Sequence, residues 1–310
     1  MSWLFNLLGV SSPIAQLLHK LHRTKIIPEH HYSTWLNSQL RSHFRMRQPL
    51  VCITLRGRTA VEMSRDAESA VEHGADVIEV RIDMLWTREE RTQKAEGNEG
   101  TQREDSDSEV SINFLEFEDV DFESDLNTIM QSTEIPLIFT CRSQGQGGFF
   151  PGDEEQRLTV LRHAISLNPE WIDLETSIHS EKRGQLMALI NKGTKVIASI
   201  HSSDSIPSPS VIVQDVNDNR ELGEVIKACY STKNRTEGLK IFEAAWELKD
   251  SEIQTTLMGL GPGGDWSRIH APLLNQFLVY STTESGWHLA QQGRINATDL
   301  KAAWGLLGYA

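Results

Sequence analysis

Lys227 interrupts an otherwise apolar run, EVIKACY at residues 224–230. Holding an ammonium between Ile226 and Ala228 costs desolvation energy. A lysine in such a setting, with cations nearby, gives up its proton more readily and becomes a nucleophile toward carbonyl carbon. The imine so formed acidifies the adjacent C–H bond and acts as an electron sink. His201 ends the run VIASIH, and an imidazole can take that proton and later hand one to a leaving hydroxide. Asp173, in WIDLE, is a carboxylate able to orient the imidazole. Glu79 and Arg81 lie in EVRID, and Arg142 closes IPLIFTCR; arginines grip a substrate carboxylate through paired N–H···O bonds. No metal-ligand spacing and no dinucleotide-binding glycine turn competes. The set reads as imine chemistry on a keto acid, without a metal or other cofactor. Taken singly, each residue has a plainer reading. The Arg and Glu residues would be solvated loop anchors, the histidine a surface or core residue, and Lys227 an edge-strand gatekeeper.

These groups act together only if one scaffold brings them to one rim. Short β-branched runs occur at 50–56, 77–83, 136–142, 171–176, 195–201, 224–230, 252–258 and 276–281. Each is followed by helical spacing, as in Val61, Ala67, Ala70 and Val71, or Leu158, Val160, Leu161 and Ile165. Strands alternating with helices imply parallel pairing and right-handed crossovers. The count matches an α/β chain folded as a (β/α)8 TIM barrel. An open doubly wound sheet would carry a glycine-rich phosphate turn after its first strand, whereas Leu55-Arg56-Gly57-Arg58 has none. Barrel enzymes project their catalytic groups from C-terminal strand ends, which is where the motifs above place theirs. Period-two alternation sends Glu79, Arg81 and Asp83 to one face, and Asp173 with Glu175 likewise.

Across 310 residues, 30 basic and 43 acidic side chains leave a net charge of −13. That balance argues against a nucleic-acid partner, since phosphate binding needs a basic face. At 39% apolar and 24% charged, the composition is globular, and the length suffices for one barrel with a large buried core. No run of about 18 apolar residues marks a membrane span. Cys52, Cys141 and Cys229 lie far apart, a pattern that suits a reducing compartment rather than a disulfide framework. Two stretches stand out. Residues 1–49 hold one acid, Glu29, against Lys20, Arg23, Lys25, Arg41, Arg45 and Arg47. This extension reads either as a transit peptide, for a mitochondrion or plastid, or as an N-terminal arm of a cytoplasmic protein. It lacks the small-residue cleavage site of a secretory signal. Residues 88–125, with stretches such as EGNEGTQREDSDSE, are expected to form a disordered acidic insertion in a barrel spanning 50–310. Such composition buries too little apolar surface to offset ordering entropy.

The motifs, in this order, resemble the type I 3-dehydroquinases: EVRID, IPLIFTCRSQGQGG, WIDLE, VIASIH, the strand around Lys227, MGLGPGGDWSR and AQQGRINATDL. The resemblance covers about residues 50–308, and IFTCRSQGQGGFFPGD is most similar to the dehydroquinase module of the fungal pentafunctional shikimate-pathway protein. It implies a class I aldolase-like barrel that converts 3-dehydroquinate to 3-dehydroshikimate by syn elimination of water, in the shikimate or quinate pathway. The partner so implied is a small molecule, and relatives are often homodimers. By resemblance, Lys227 is the imine-forming lysine, His201 the general acid/base and Asp173 the carboxylate supporting that histidine. Glu79, Arg81 and Arg142 match residues that hold substrate hydroxyls and frame the site, and Arg268, in DWSR, matches the clamp for the substrate carboxylate. Gln146 replaces a bacterial glutamate and Ala290 a bacterial serine, both in the fungal manner. Arg294 stands where the family has a substrate-contacting glutamine, and Ser202 follows the histidine where Asp is usual. The segment before Lys227 is one residue shorter than in bacterial members. These departures leave a second reading, a catalytically silent relative that senses the same ligands. Lys227, His201 and Arg268 favour the enzyme, since a sensor has no need of a desolvated nucleophile.

Overall fold

The computed structural model describes residues 48–92, 109–202 and 204–309. Its strands are β1 (Leu50–Thr54), β2 (Val77–Arg81), β3 (Thr87–Thr92), β4 (Glu109–Phe114), β5 (Leu137–Thr140), β6 (Trp171–Glu175), β7 (Lys195–Ser202), β8 (Val225–Ser231), β9 (Gln254–Leu260) and β10 (Leu278–Ser281). Strands β3 and β4 pair only with each other; the other eight form one parallel sheet in the order β10-β1-β2-β5-β6-β7-β8-β9. The two ends of that sheet meet. The Phe277 N–H donates to the Thr255 carbonyl (2.8 Å), while the Gln276 side chain accepts from the Leu257 N–H (2.6 Å) and donates to Thr255 Oγ1 (3.1 Å). Gln276 thus stands in for ladder bonds between β9 and β10, and the strands close into a (β/α)8 barrel. Each of the eight β-branched runs becomes one of its strands. No helix among the described residues is long and apolar enough to cross a membrane.

The helices that alternate with these strands are α1 (Ala60–Glu72), α2 (Phe122–Met130), α3 (Glu154–Ser166), α4 (Ser180–Met187), α5 (Pro209–Asp218), α6 (Arg235–Leu248), α7 (Gly264–Ile269), α8 (His288–Gln291) and α9 (Ala297–Leu306). Thr59, Asp153, Asn234 and Asn296 open α1, α3, α6 and α9, each side-chain oxygen accepting from a first-turn N–H. Helix starts leave such donors unpaired, so these caps fix where the helices begin.

Strand alternation sorts the core into two parts. Val51, Ile53, Ile78, Val80, Ile172 and Leu174 pack outward against helix residues such as Met63, Leu126, Leu158 and Leu161. Cys52, Val77, Ile138, Trp171, Ile197, Val225 and Leu278 belong instead to a cluster that plugs the barrel interior. Two residues further along each strand, on the same face, stand Thr54, Glu79, Thr140, Asp173, Ser199, Lys227 and Tyr280. The apolar layer is therefore the floor beneath a polar one, in the layered manner of barrel interiors.

The segment 88–125 corrects its expectation. Residues 93–108 lie outside the described residues, but β3 and β4 form a hairpin in register from Thr87↔Phe114 to Thr92↔Glu109, and α2 begins at Phe122. Aromatic packing at the base explains the order. The Trp86 ring stacks on Phe117 (5.7 Å between centroids) and meets Phe150 edge-on (5.0 Å), and its indole N–H donates to the Phe117 carbonyl (3.1 Å). These few aromatics supply apolar burial that the average composition of the stretch conceals. The expected extension falls outside the described residues over 1–47.

Candidate active site

Above the polar layer, at the C-terminal strand ends, lies a cavity of about 520 Å³. Lys227 forms its floor and is only 4% exposed. Its register, opposite Ser199 on β7 and Thr256 on β9, turns it into the barrel despite the shortened segment before it. The ammonium Nζ donates to Glu79 Oε1 (3.2 Å) and Asp173 Oδ2 (3.3 Å). Glu79 is held in turn by hydroxyls of Thr54 (2.8 Å) and Thr140 (3.1 Å). Burial alone would raise its carboxyl pKa, but Lys227 and Arg81 outweigh that and hold it below the usual range. Asp173 accepts from Arg142 Nη2 (2.9 Å) and the Ser199 hydroxyl (2.5 Å). Arg142 and Lys227 likewise overcome its burial and keep it ionised. Arg142 is fully buried and also donates to Glu175 Oε1 (3.2 Å) and Ser199 Oγ (2.9 Å). Pairing of this kind offsets the desolvation of the buried charges.

His201, at the end of β7, stands half-buried on the cavity wall. Burial first, then the positive charges of Arg142 and Lys227, push its pKa well below 6.5. The imidazole is therefore neutral at neutral pH. Its Nδ1 lies 3.2 Å from Gln146 Oε1, and the Gln146 amide donates to Ser177 Oγ (2.7 Å). An amide oxygen can only accept, so the proton sits on Nδ1 and the Nε2 lone pair is left to act. The expectation that Asp173 orients the imidazole is thus corrected. Asp173 bonds Lys227, Arg142 and Ser199, and Gln146 takes the histidine. Asp83 also leaves its expected place. Strand β2 stops at Arg81, and the following turn buries Asp83, which accepts two bonds from the Arg81 guanidinium (2.9 and 2.7 Å) and the N–H groups of Arg142 and Phe149. Asp83 holds Arg81 at the cavity edge rather than facing the cavity itself.

Arg268 is buried and lines the cavity. Its Nε donates to the Tyr280 carbonyl (3.0 Å) and its Nη1 to those of Gly259 and Gly264 (both 2.8 Å). No carboxylate among the described residues forms an ion pair with it. Burial and the nearby Arg294 push its pKa down to about 10, the mark of a cation short of an anion. Gly264 makes the arrangement possible, because a Cβ there would overlap the Gly259 carbonyl that Arg268 uses. Arg294 also lines the cavity, anchored by Glu284 (3.1 Å), Thr282 (3.0 Å) and Gln292 (3.2 Å). The structure therefore brings Lys227, His201, Glu79, Arg81, Arg142, Gln146, Arg268 and Arg294 to one cavity, with Asp173 directly beneath.

A family model described as type I 3-dehydroquinase matches residues 51–309. The chain belongs to that family. Among related proteins, the 3-dehydroquinate dehydratase of Methanopyrus kandleri is 24% identical over 260 residues, covering 84% of this chain and all of that protein. The solved type I 3-dehydroquinate dehydratase of Clostridium difficile superposes with a TM-score of 0.67 at 21% identity, over 84% of this chain and 92% of its own. The dehydroquinate dehydratase and shikimate dehydrogenase structure from S. pombe matches with a TM-score of 0.62 at 24% identity, over 87% of this chain and 46% of its own. Those likenesses establish the barrel fold independently of the motifs.

Several residues of this dehydroquinase site carry no signal in their motifs. Thr54, Thr140 and Ser199 hold the two carboxylates beside Lys227, and Tyr280 lies against its ammonium. Their common mark is position, each two residues beyond the apolar floor on its own strand. The three cysteines are buried thiols, and burial raises the pKa of each, so none is a poised nucleophile.

Proposed function

We propose that this dehydroquinase dehydrates 3-dehydroquinate to 3-dehydroshikimate through an imine on Lys227. One observation carries the reading. A buried amine and a neutral imidazole face the same cavity as Arg268, a buried guanidinium bonded to carbonyls alone. Arg268 takes the substrate carboxylate, as a cation lacking a counter-ion should, and the ketone comes to rest over Nζ. The Lys227 ammonium first passes one proton to the His201 imidazole, and the free amine attacks the carbonyl carbon. A C–N bond forms, that proton and a second one from nitrogen convert the carbonyl oxygen to a departing water, and the single positive charge remains on nitrogen as an iminium.

That charge draws electrons from the neighbouring C–H, whose proton passes to Nε2 of His201. The released pair forms an enamine, and its return expels the β-hydroxyl, which leaves as water with the proton His201 gives back. One imidazole doing both transfers requires both groups on one face, which is a syn elimination. Water then adds to the iminium carbon, the C–N bond breaks, and the conjugated ketone leaves with Lys227 restored. Glu79 and Asp173 hold Nζ in the free site. Arg142 fixes Asp173, Gln146 sets the histidine tautomer, and Arg81 and Arg294 line the cavity around the substrate.

The test is ultraviolet absorbance on mixing the protein with 3-dehydroquinate, since only the product is a conjugated enone. The expected result is a rise that vanishes in Lys227→Ala, while that variant still binds substrate through Arg268. Turnover surviving in Lys227→Ala would sink the imine. No rise from a folded wild-type sample would sink the dehydratase reading and leave ligand sensing in its place.

A further inference from the structure

Tyr280 occupies the last strand of the barrel, in register with Cys52 of β1. Its ring face lies 4.1 Å from the Lys227 ammonium. Its hydroxyl is buried and bonds no described residue, so the contact made by this side chain is made by the ring. The face of an aromatic ring is electron-rich and attracts a cation without carrying net charge. Lys227 is thus enclosed by two carboxylates and one π-face.

The three contacts respond differently to the reaction. As an ammonium, Nζ has three donors and serves Glu79 and Asp173 together. As an iminium it keeps the positive charge but a single N–H, so at most one of those bonds persists in good geometry. A ring face needs no N–H. We propose that Tyr280 is a positioning residue whose ring holds the Lys227 nitrogen through imine formation, keeping the cation in place when at least one of its carboxylate bonds is lost. This rests on the imine reading of Lys227 and adds to it a group outside the acid/base set.

The test replaces residue 280 in the full chain by Phe, by Leu and by a series of 4-fluoro-, 3,5-difluoro- and 3,4,5-trifluorophenylalanine. Fluorination withdraws charge from the ring face and changes its shape little. Tyr280→Leu is expected to lower kcat about 2- to 30-fold, the span set by typical cation–π strengths, with KM moving less. Tyr280→Phe should recover most of that loss. Across the fluorinated series, kcat and the yield of borohydride-trapped adduct on Lys227 should fall stepwise. A flat series with undiminished trapping overturns the inference while leaving the imine mechanism standing. Wild-type protein that traps no adduct at Lys227 overturns the imine reading itself, and Tyr280's assignment with it.

Discussion

His201 owes its neutrality to its company, and that makes its ionisation readable in a pH profile. With a folded pKa well below 6.5, the imidazole stays unprotonated as pH falls through its ordinary range. The acid limb of kcat/KM is therefore expected below pH 6.5. Gln146→Glu would set a carboxylate against Nδ1, favour the imidazolium and move that limb up by about one unit or more. A profile that is the same in both proteins would remove Gln146 from contact with the base. Arg268 is tested by KM. Its clamp acts on substrate and transition state alike, so Arg268→Ala should raise KM about 10- to 100-fold with kcat largely kept, and an unmoved KM would exclude it from the site. The meeting of these residues in one cavity was legible in the sequence, because strands that carry Glu79 and Lys227 inward and lead into Arg142 and His201 are unusual as purely structural elements. Asp173 was not read correctly. Its motif shows that it points inward, but its choice of Lys227 and Arg142 over His201 depends on distances across the barrel. Tyr280 was invisible for another reason, since an aromatic residue in a strand is ordinarily core.

At the level of elements, β-branched runs announced all eight barrel strands, and the short hairpin announced nothing. Strand β3 reads TREERT, with no apolar alternation, and its pairing follows from the aromatic base at Trp86 and Phe117 and from the Arg58 contact with Glu89 (2.8 Å). The register gives a direct test. Thr92 lies opposite Glu109, so a two-residue Asn-Gly turn can join them in place of the sixteen residues 93–108. Shortening the closed loop that much should stabilise the protein by on the order of 1 to 2 kcal/mol. The urea midpoint should rise with turnover retained, because the residues assigned to the chemistry lie on the barrel strands and their C-terminal loops. A lower midpoint would show that the replaced segment makes contacts of its own.

The whole molecule is governed by closure of the barrel, and among the described residues closure runs from the first strand onward. Strand β1 begins at Leu50 and pairs with β2 on one side and β10 on the other. The Gln48 side chain reaches the Tyr309 carbonyl, so the start and end of the barrel are tied to each other. Every residue assigned to the reaction lies between Thr54 and Arg294. Because parallel strands gain their partners from distant sequence, such a sheet is stable only when complete, and residues 48–310 contain all of it. The chain shortened to 48–310 should therefore melt in one cooperative transition by circular dichroism and turn over 3-dehydroquinate with kcat within about twofold of the full chain. Equal melting with lost turnover would assign part of the catalytic machinery to residues 1–47. Loss of the transition would make those residues part of the fold, and the barrel's self-sufficiency would have to be abandoned.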